Sequence, residues 1–443
     1  MYRQAHAQLD DMRIPLLFDS KAPHQRLYVA AMDGTGNSMY DDRPEHWSVV
    51  AKIYRQIEDA KPANVASGYV EGTFTQDGMR RLPSKLIDGR FAHTFDERVE
   101  TAYYQLCMQA KKWLEEEPNA QIRVMGVGFS RGAESIAALQ RLVEERGIRD
   151  PLAAEVQRDR EGLVTRISYA DAPPLVPPGK TLQAALLYDP VQTGVEDEHR
   201  CLMPSTVSTL QISARDEKRN LFRASDHVPV GFSEDHRNLN LILPGAHSDK
   251  GDTYVERGLG TLSFNLGVAF INRSSDVPIL KPQALPQDPS QYVIHRSETG
   301  MFGLYRTSGF DRDGLRDRVD DCSPEPGTQR KQPISPELES QIQRRTGRDF
   351  GTSPDPAVSP AMPGVSLAPA DAVLDRALAA YGQDGRAFSQ VMSEYRQTPA
   401  GQAWEQQQSE HVRALREQAA QEPATREQPM PGAPVHRAHA LRM

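Results

Sequence analysis

The chain has 443 residues, room for one large catalytic domain and further modules. Its 52 Lys and Arg are outnumbered by 60 Asp and Glu, and the net charge of −8 disfavours a nucleic-acid partner held by phosphate neutralisation. The three cysteines, Cys107, Cys201 and Cys322, are odd in number and widely spaced, so neither a disulfide framework nor a zinc site follows from them. No stretch reaches the ~18 apolar residues of a membrane span, and residues 1–18 have no apolar core behind a basic start. The expectation is a protein made in the cytoplasm without a Sec signal, so that any export needs another, dedicated machine, and no cofactor or metal is expected.

Residues 27–32 (LYVAAM) are apolar without alternation, as in a strand buried on both faces of a parallel sheet. They end in Asp33-Gly34-Thr35-Gly36-Asn37, a Gly-rich turn where an α/β sheet builds its ligand crevice. Gly34 or Thr35 can donate a backbone amide to an oxyanion there. Asp33 is read as bracing the loop, with metal binding as the other reading. Val49, Val50, Ile53, Tyr54 and Ile57 recur with helical period, whereas residues 67–86, rich in Gly and basic side chains, read as a surface loop. Asp96 is placed to cap a helix carrying Val99, Tyr103, Leu106, Ala110 and Trp113, with Cys107 as a small buried side chain within it.

Ile122, Val124, Met125 and Val127 form the next strand, followed by Gly126-Val127-Gly128-Phe129-Ser130-Arg131-Gly132-Ala133 and a helix. Strand, tight turn, helix is the setting of a G-x-S-x-G nucleophile elbow. The turn forces the serine into a strained conformation and leaves no room for side chains at Gly128 and Gly132. Ser130 is the candidate nucleophile, and the Arg131 amide at the helix start is a candidate oxyanion donor.

Residues 147–162 read as a charged loop, 165–170 as a short strand and 171–178 as a Pro-rich connector. The strand at 184–188 ends in Asp189, placed to orient a histidine. A further strand at 207–212 runs into Asp216-Glu217-Lys218-Arg219, which makes Asp216 a rival acid, although its neighbours suit an ion-pair network. The last strand, 239–243, precedes Pro244-Gly245-Ala246-His247-Ser248-Asp249. His247 completes the chain order Ser, acid, His. His199, His227 and His236 lie on polar segments and are assigned surface roles, and Asp249 is read as bracing the histidine loop.

These motifs together resemble the α/β-hydrolase domain of the first family of type VI secretion lipase effectors, formerly a domain of unknown function. The resemblance covers residues 27–270. It implies a phospholipase with Ser130 as nucleophile, His247 as base and Asp189 as acid, acting on membrane phospholipid, with a secretion-machine adaptor and an immunity protein as partners. Two positions depart from the family pattern: Pro190 follows the acid where Thr is usual, and Lys250-Gly251-Asp252 stands where a glycine pair is usual. The hydrolase reading comes from motifs and order, while lipid as substrate comes from the resemblance alone. A soluble carboxylesterase or thioesterase, and a hydrolase-like scaffold that docks partners, are the alternatives.

The expected organisation is an α/β-hydrolase domain over 1–277, with a mostly parallel sheet and helices on both faces. A lid or final packing segment follows over 278–322, containing Tyr292-Val293-Ile294-His295. A linker rich in Pro, Ser and Gln covers 323–370, and a small helical module with a disordered tail covers 371–443.

Overall fold

The computed structural model describes residues 1–72, 90–158, 164–192, 202–219 and 222–297, with 316, 318–319, 338, 340 and 343–344. The chain divides into two compact units, Met1–Asp371 and Ala372–Met443, and every described residue lies in the first. The helical module expected over 371–443, the loop tip at 73–86, His199, Cys201, Cys322 and the 301–305 segment fall outside the described residues.

Seven strands make the main sheet: β1 (Gln25–Met32), β2 (Val65–Val70), β3 (Gln121–Phe129), β4 (Leu182–Tyr188), β5 (Thr206–Ala214), β6 (Gly231–Phe232) and β7 (Asn238–Leu243). Their order across the sheet is β6-β7-β5-β4-β3-β1-β2. Every pairing is parallel except that of the short edge strand β6 with β7. The helices are α1 (Tyr2–Asp11), α2 (Val49–Ala60), α3 (Arg90–Glu116), α4 (Arg131–Arg146), α5 (His247–Gly251) and α6 (Gly258–Arg273).

The apolar runs of the central strands are explained by burial on both faces. Leu27, Val29 and Ala31 of β1, Met125 and Val127 of β3, and Ala184 and Leu186 of β4 pack into one core with α1, α2 and α6. The alternate residues Tyr28 and Ala30, Ile122 and Val124, and Ala185 and Leu187 pack into a second core with α3 and α4. A strand whose odd and even positions are both apolar has lost the polar face of an exposed sheet, and each fully buried Leu or Val contributes about 1.5–3 kcal/mol. This is an α/β-hydrolase-like fold with helices on both faces of a mostly parallel sheet.

Several elements differ from the sequence reading. Residues 65–70 form edge strand β2, although 67 onward reads as loop. Its Gly68 weakens the strand signal but is required, because a Cβ there would lie 1.9 Å from the Tyr28 hydroxyl. Helix α3 begins at Arg90, so Asp96 is inside the helix and caps nothing. Ala154–Arg158, within the expected charged loop, is a strand that pairs antiparallel with Val164–Tyr169. Ser48, not read as a cap, accepts the Ala51 amide at 3.1 Å and starts α2.

Beyond α6 several described residues pack on the domain. Ile279 and Leu280 are buried, their amides held by the Asn272 side chain at 2.9 Å each, and Tyr292 and Ile294 pack against the core. Within the expected linker over 323–370, Leu338 is buried in the same core and Gln343–Arg344 pairs antiparallel with Pro15–Leu16. Scattered apolar residues in a Pro-rich stretch do not read as a packed element in sequence, yet here a buried leucine and a short strand pairing hold described residues of the stretch on the domain.

Candidate active site

The carboxyl ends of β1, β3, β4, β5 and β7 lie along one edge of the sheet, and each is followed by one of the loops singled out in the sequence. At the end of β3, Ser130 has φ 58° and ψ −126°, a left-handed conformation that strains a residue with a Cβ. Three contacts hold it. Its amide donates to Tyr188 O at 2.9 Å, its carbonyl accepts the Ala133 amide at 3.0 Å, and the glycines on either side are packed against backbone. A Cβ on Gly132 would lie 2.1 Å from Met32 O, and one on Gly128 would lie 2.5 Å from Ala133 Cα.

One residue beyond β4, Asp189 also has positive φ, 43°, and is fully buried. Its Oδ2 lies 2.6 Å from His247 Nδ1, and its Oδ1 accepts the Ala214 amide at 2.7 Å and Arg316 Nη1 at 2.5 Å. Burial alone would raise this carboxyl, but the Arg316 charge and the His247 hydrogen bond outweigh it and hold Asp189 well below the usual carboxylate range. An ionised Asp189 can only accept, so His247 Nδ1 is the donor and Nε2 is left as the acceptor. Burial lowers the His247 imidazole, with Asp189 pulling the other way.

The histidine ring is fixed on two sides. It stacks on Phe129 with centroids 4.6 Å apart and meets Phe222 edge-on at 4.9 Å. Phe129 is the hub of this packing: a Cβ on Gly34 would lie 2.7 Å from it and one on Gly251 would lie 2.4 Å from it, so the glycine of Lys250-Gly251-Asp252 makes room for the ring. Asp249 Oδ2 accepts the Ala246 amide at 2.8 Å, and its Oδ1 lies 2.5 Å from His295 Nδ1.

Asp216 is not at the imidazole. It pairs with Arg215 at 3.0 Å and accepts the Gly245 amide at 2.8 Å, bracing the base of the histidine loop. The sequence reading passed over its neighbour Glu217. This carboxylate is fully buried, accepts the His247 amide at 3.1 Å and takes two bonds from the Arg219 side chain, at 3.0 and 2.9 Å. Two adjacent acids look alike in sequence, and only the backbone direction after β5 sends one inward. His227, assigned to the surface, is in fact buried: its side chain is fully enclosed, 3.2 Å from the equally enclosed Glu134 of α4. Its polar neighbours in sequence are themselves turned inward, as Asp226 receives Asn240 Nδ2 at 2.8 Å.

Asp33 braces its loop. Its carboxylate accepts Ser48 Oγ at 2.7 Å, Tyr69 OH at 2.8 Å and the Gly34 amide at 2.7 Å, and burial pushes its pKa up to about 6 against those bonds. The Gly34 amide donates to Asp33, and Thr35 and Asn37 are the residues of this turn that line the cavity. That cavity, ≈ 250 Å³, is bounded by Thr35, Ser130, Arg131, Arg219, Phe222 and His247 among others. Among the described residues, no cluster of three or more His, Cys, Asp or Glu is arranged to hold a metal ion, and no helix is long and apolar enough to cross a membrane.

A serine elbow after β3, an acid after β4 and a histidine after β7, in that chain order on one sheet edge, place the fold in the α/β-hydrolase class. Residues 26–164, the part of the chain bearing β1 to β3 and the elbow, match the family model described as T6SS, Phospholipase effector Tle1-like, catalytic domain. No curated protein matches the chain. Among solved structures, an uncharacterised protein from Pseudomonas aeruginosa is similar at 14% identity over 66% of this chain and 51% of its own, with a TM-score of 0.38. The Tle1 effector bound to the VgrG spike of the type 6 secretion system is similar at 18% identity over 53% of this chain and 52% of its own, TM-score 0.30. An acetylxylan esterase is similar at 11% identity over 56% of this chain and 97% of its own, TM-score 0.23. The chain thus spans about half the length of the first two of these structures.

Proposed function

We propose that the chain is a serine esterase cleaving the carboxylic ester bonds of glycerophospholipids, delivered into a target cell by a type VI secretion machine. In this reading His247 Nε2 removes the Ser130 proton as Oγ attacks the acyl carbonyl. The proton then passes to the departing alkoxide, and water repeats the sequence on the acyl-enzyme. Asp189 fixes the imidazole orientation and stabilises its charged form. The amides of Arg131 and Thr35 receive the oxyanion, and each such donor contributes roughly 10²-fold or more to rate. The observation that carries the reading is the 2.6 Å contact of a buried, ionised Asp189 with His247 on the cavity that Ser130 also lines.

Phospholipid as substrate is supported by the Tle1-like match over residues 26–164. A component of the secretion spike and an immunity protein in the producing cell are the partners this reading implies. A second reading is a soluble short-chain ester, which a cavity of ≈ 250 Å³ accommodates. Fatty-acid release from mixed phospholipid vesicles, compared with hydrolysis of water-soluble short-chain esters, separates the two. Turnover of the soluble esters with inert vesicles would rule out the phospholipid reading and leave the esterase.

A further inference from the structure

Arg316 stands far along the chain from every motif the fold uses, yet its side chain is buried against the acid. Nη1 donates to Asp189 Oδ1 at 2.5 Å and to Ala214 O at 3.0 Å, and Nε donates to Phe222 O at 2.9 Å. Ala214 gives its own amide to the same Asp189 oxygen at 2.7 Å, so carboxylate, guanidinium and the end of β5 form a closed ring of hydrogen bonds. The ring occupies Oδ1 and leaves Oδ2 to face His247. Phe222, held by the same guanidinium, contributes the edge that flanks the imidazole.

Two features show that this contact is built. Asp189 sits at positive φ with its side chain fully enclosed, a conformation and a charge that persist only where the surroundings over-determine them. The segment carrying Arg316 is itself tied down. Arg318 pairs with Asp226, and Arg318 and Val319 add a short parallel bridge to Ala224 and Ser225. Asp226 is held in turn by Gln211 and Asn240 from β5 and β7.

We propose that Arg316 is a positioning residue that acts through Asp189, holding the carboxylate ionised and turned toward His247, so that the chain beyond the hydrolase motifs completes the site. The proposal rests on the reading of Asp189 as the acid. A guanidinium spans three acceptors in a plane where a lysine ammonium is a single point of charge, so charge alone restores only part of its effect.

The test is a double-mutant cycle on the full chain, following hydrolysis of a soluble p-nitrophenyl ester, with thermal unfolding to confirm folding. Arg316→Gln is expected to lower kcat by ~10²-fold with KM within about threefold, and Arg316→Lys to recover part of that loss. In the Asp189→Asn background the same Arg316→Gln change is expected to cost less than about threefold, because its route of action is already cut. If Arg316→Gln fails to fold, Arg316→Lys carries the cycle, with a smaller loss in kcat that again vanishes in the Asp189→Asn background. Unchanged kcat in Arg316→Gln or Arg316→Lys, or losses that multiply in full with Asp189→Asn, would overturn the proposal. An Asp189→Asn variant with parental kcat would overturn it too, and would show that the assignment of the acid failed first.

Discussion

The Ser130 amide donates to the Tyr188 carbonyl at 2.9 Å, which joins the elbow to the last residue of the adjacent strand. Asp189 follows Tyr188 directly, and its own amide donates to Ile212 O at 2.8 Å on the next strand along. Serine, acid and the end of β5 are therefore locked in register by the sheet before any side chain meets. What the side chains add is direction: Ser130 and Asp189 both have positive φ, Asp189 meets His247 at 2.6 Å, and Ser130 lines the same cavity as His247.

That strain has a measurable cost. A non-glycine residue held at φ 58° costs on the order of 1–3 kcal/mol. Ser130→Gly is expected to unfold in urea with about 1 kcal/mol more stability than Ser130→Ala, both being inactive. Equal stability of the two variants would mean that the elbow conformation is not strained.

The elbow glycines should be intolerant for a separate reason. In Gly132→Ala the new methyl meets Met32 O and Asp33 O, backbone atoms of the neighbouring strand end that cannot swing aside. A loss at the upper end of roughly 1–3 kcal/mol is expected in denaturant unfolding. A neutral result would mean that β1 and α4 sit further apart than the structure has them.

Asp33 links stability to pH. Its folded pKa of about 6 lies above the ordinary carboxylate value, so the folded state binds the extra proton, and the stability it brings is complete below about pH 4 and lost as pH rises through 6. Removing this group should flatten that part of the profile. Asp33→Asn is expected to lose less stability than the parent between pH 4 and 7, by on the order of 2–3 kcal/mol. Parallel profiles would contradict the assignment.

Arg219 should tune the base. Burial is the main force lowering His247, and the Arg219 cation adds to it while Asp189 opposes. The acid limb of kcat/KM on a neutral soluble ester should therefore fall below the ~6.5 of a free imidazole. Arg219→Gln is expected to move that midpoint upward. A midpoint that stays or falls would show that another group controls the limb.

The central strands were legible because burial on both faces leaves uninterrupted apolar runs, and the elbow because its glycines answer to a steric demand. Helix α6 was not legible. It carries Gly258, Gly260 and Gly267, poor helix formers, yet a Cβ on Gly267 would lie 1.8 Å from the Tyr188 hydroxyl and one on Gly260 would lie 2.2 Å from Asp252 Oδ1. Close packing overrode propensity there. The first helix was hidden because it buries only Tyr2, Ala5 and Leu9, with Tyr2 accepting Lys250 Nζ at 2.7 Å under the histidine loop. Arg316 carried no signal at all, since its meaning lies in an acid 127 residues earlier in the chain.

The acid itself is open to a direct comparison. Asp189→Asn is expected to lower kcat by ~10³–10⁴-fold, while Asp216→Asn, which removes a brace at the exposed side of the loop, should cost less than about tenfold. The reverse ranking in steady-state ester hydrolysis would make Asp216 the acid.

The most direct measurement is labelling of the full chain with a fluorophosphonate, followed by peptide mass spectrometry to locate the adduct. A serine activated by its histidine is expected to take up one label, on the peptide containing Ser130, with labelling lost in Ser130→Ala and at least ~10²-fold slower in His247→Ala. Absence of label on folded protein, or label that persists in Ser130→Ala, would contradict the assignment of Ser130 as the nucleophile.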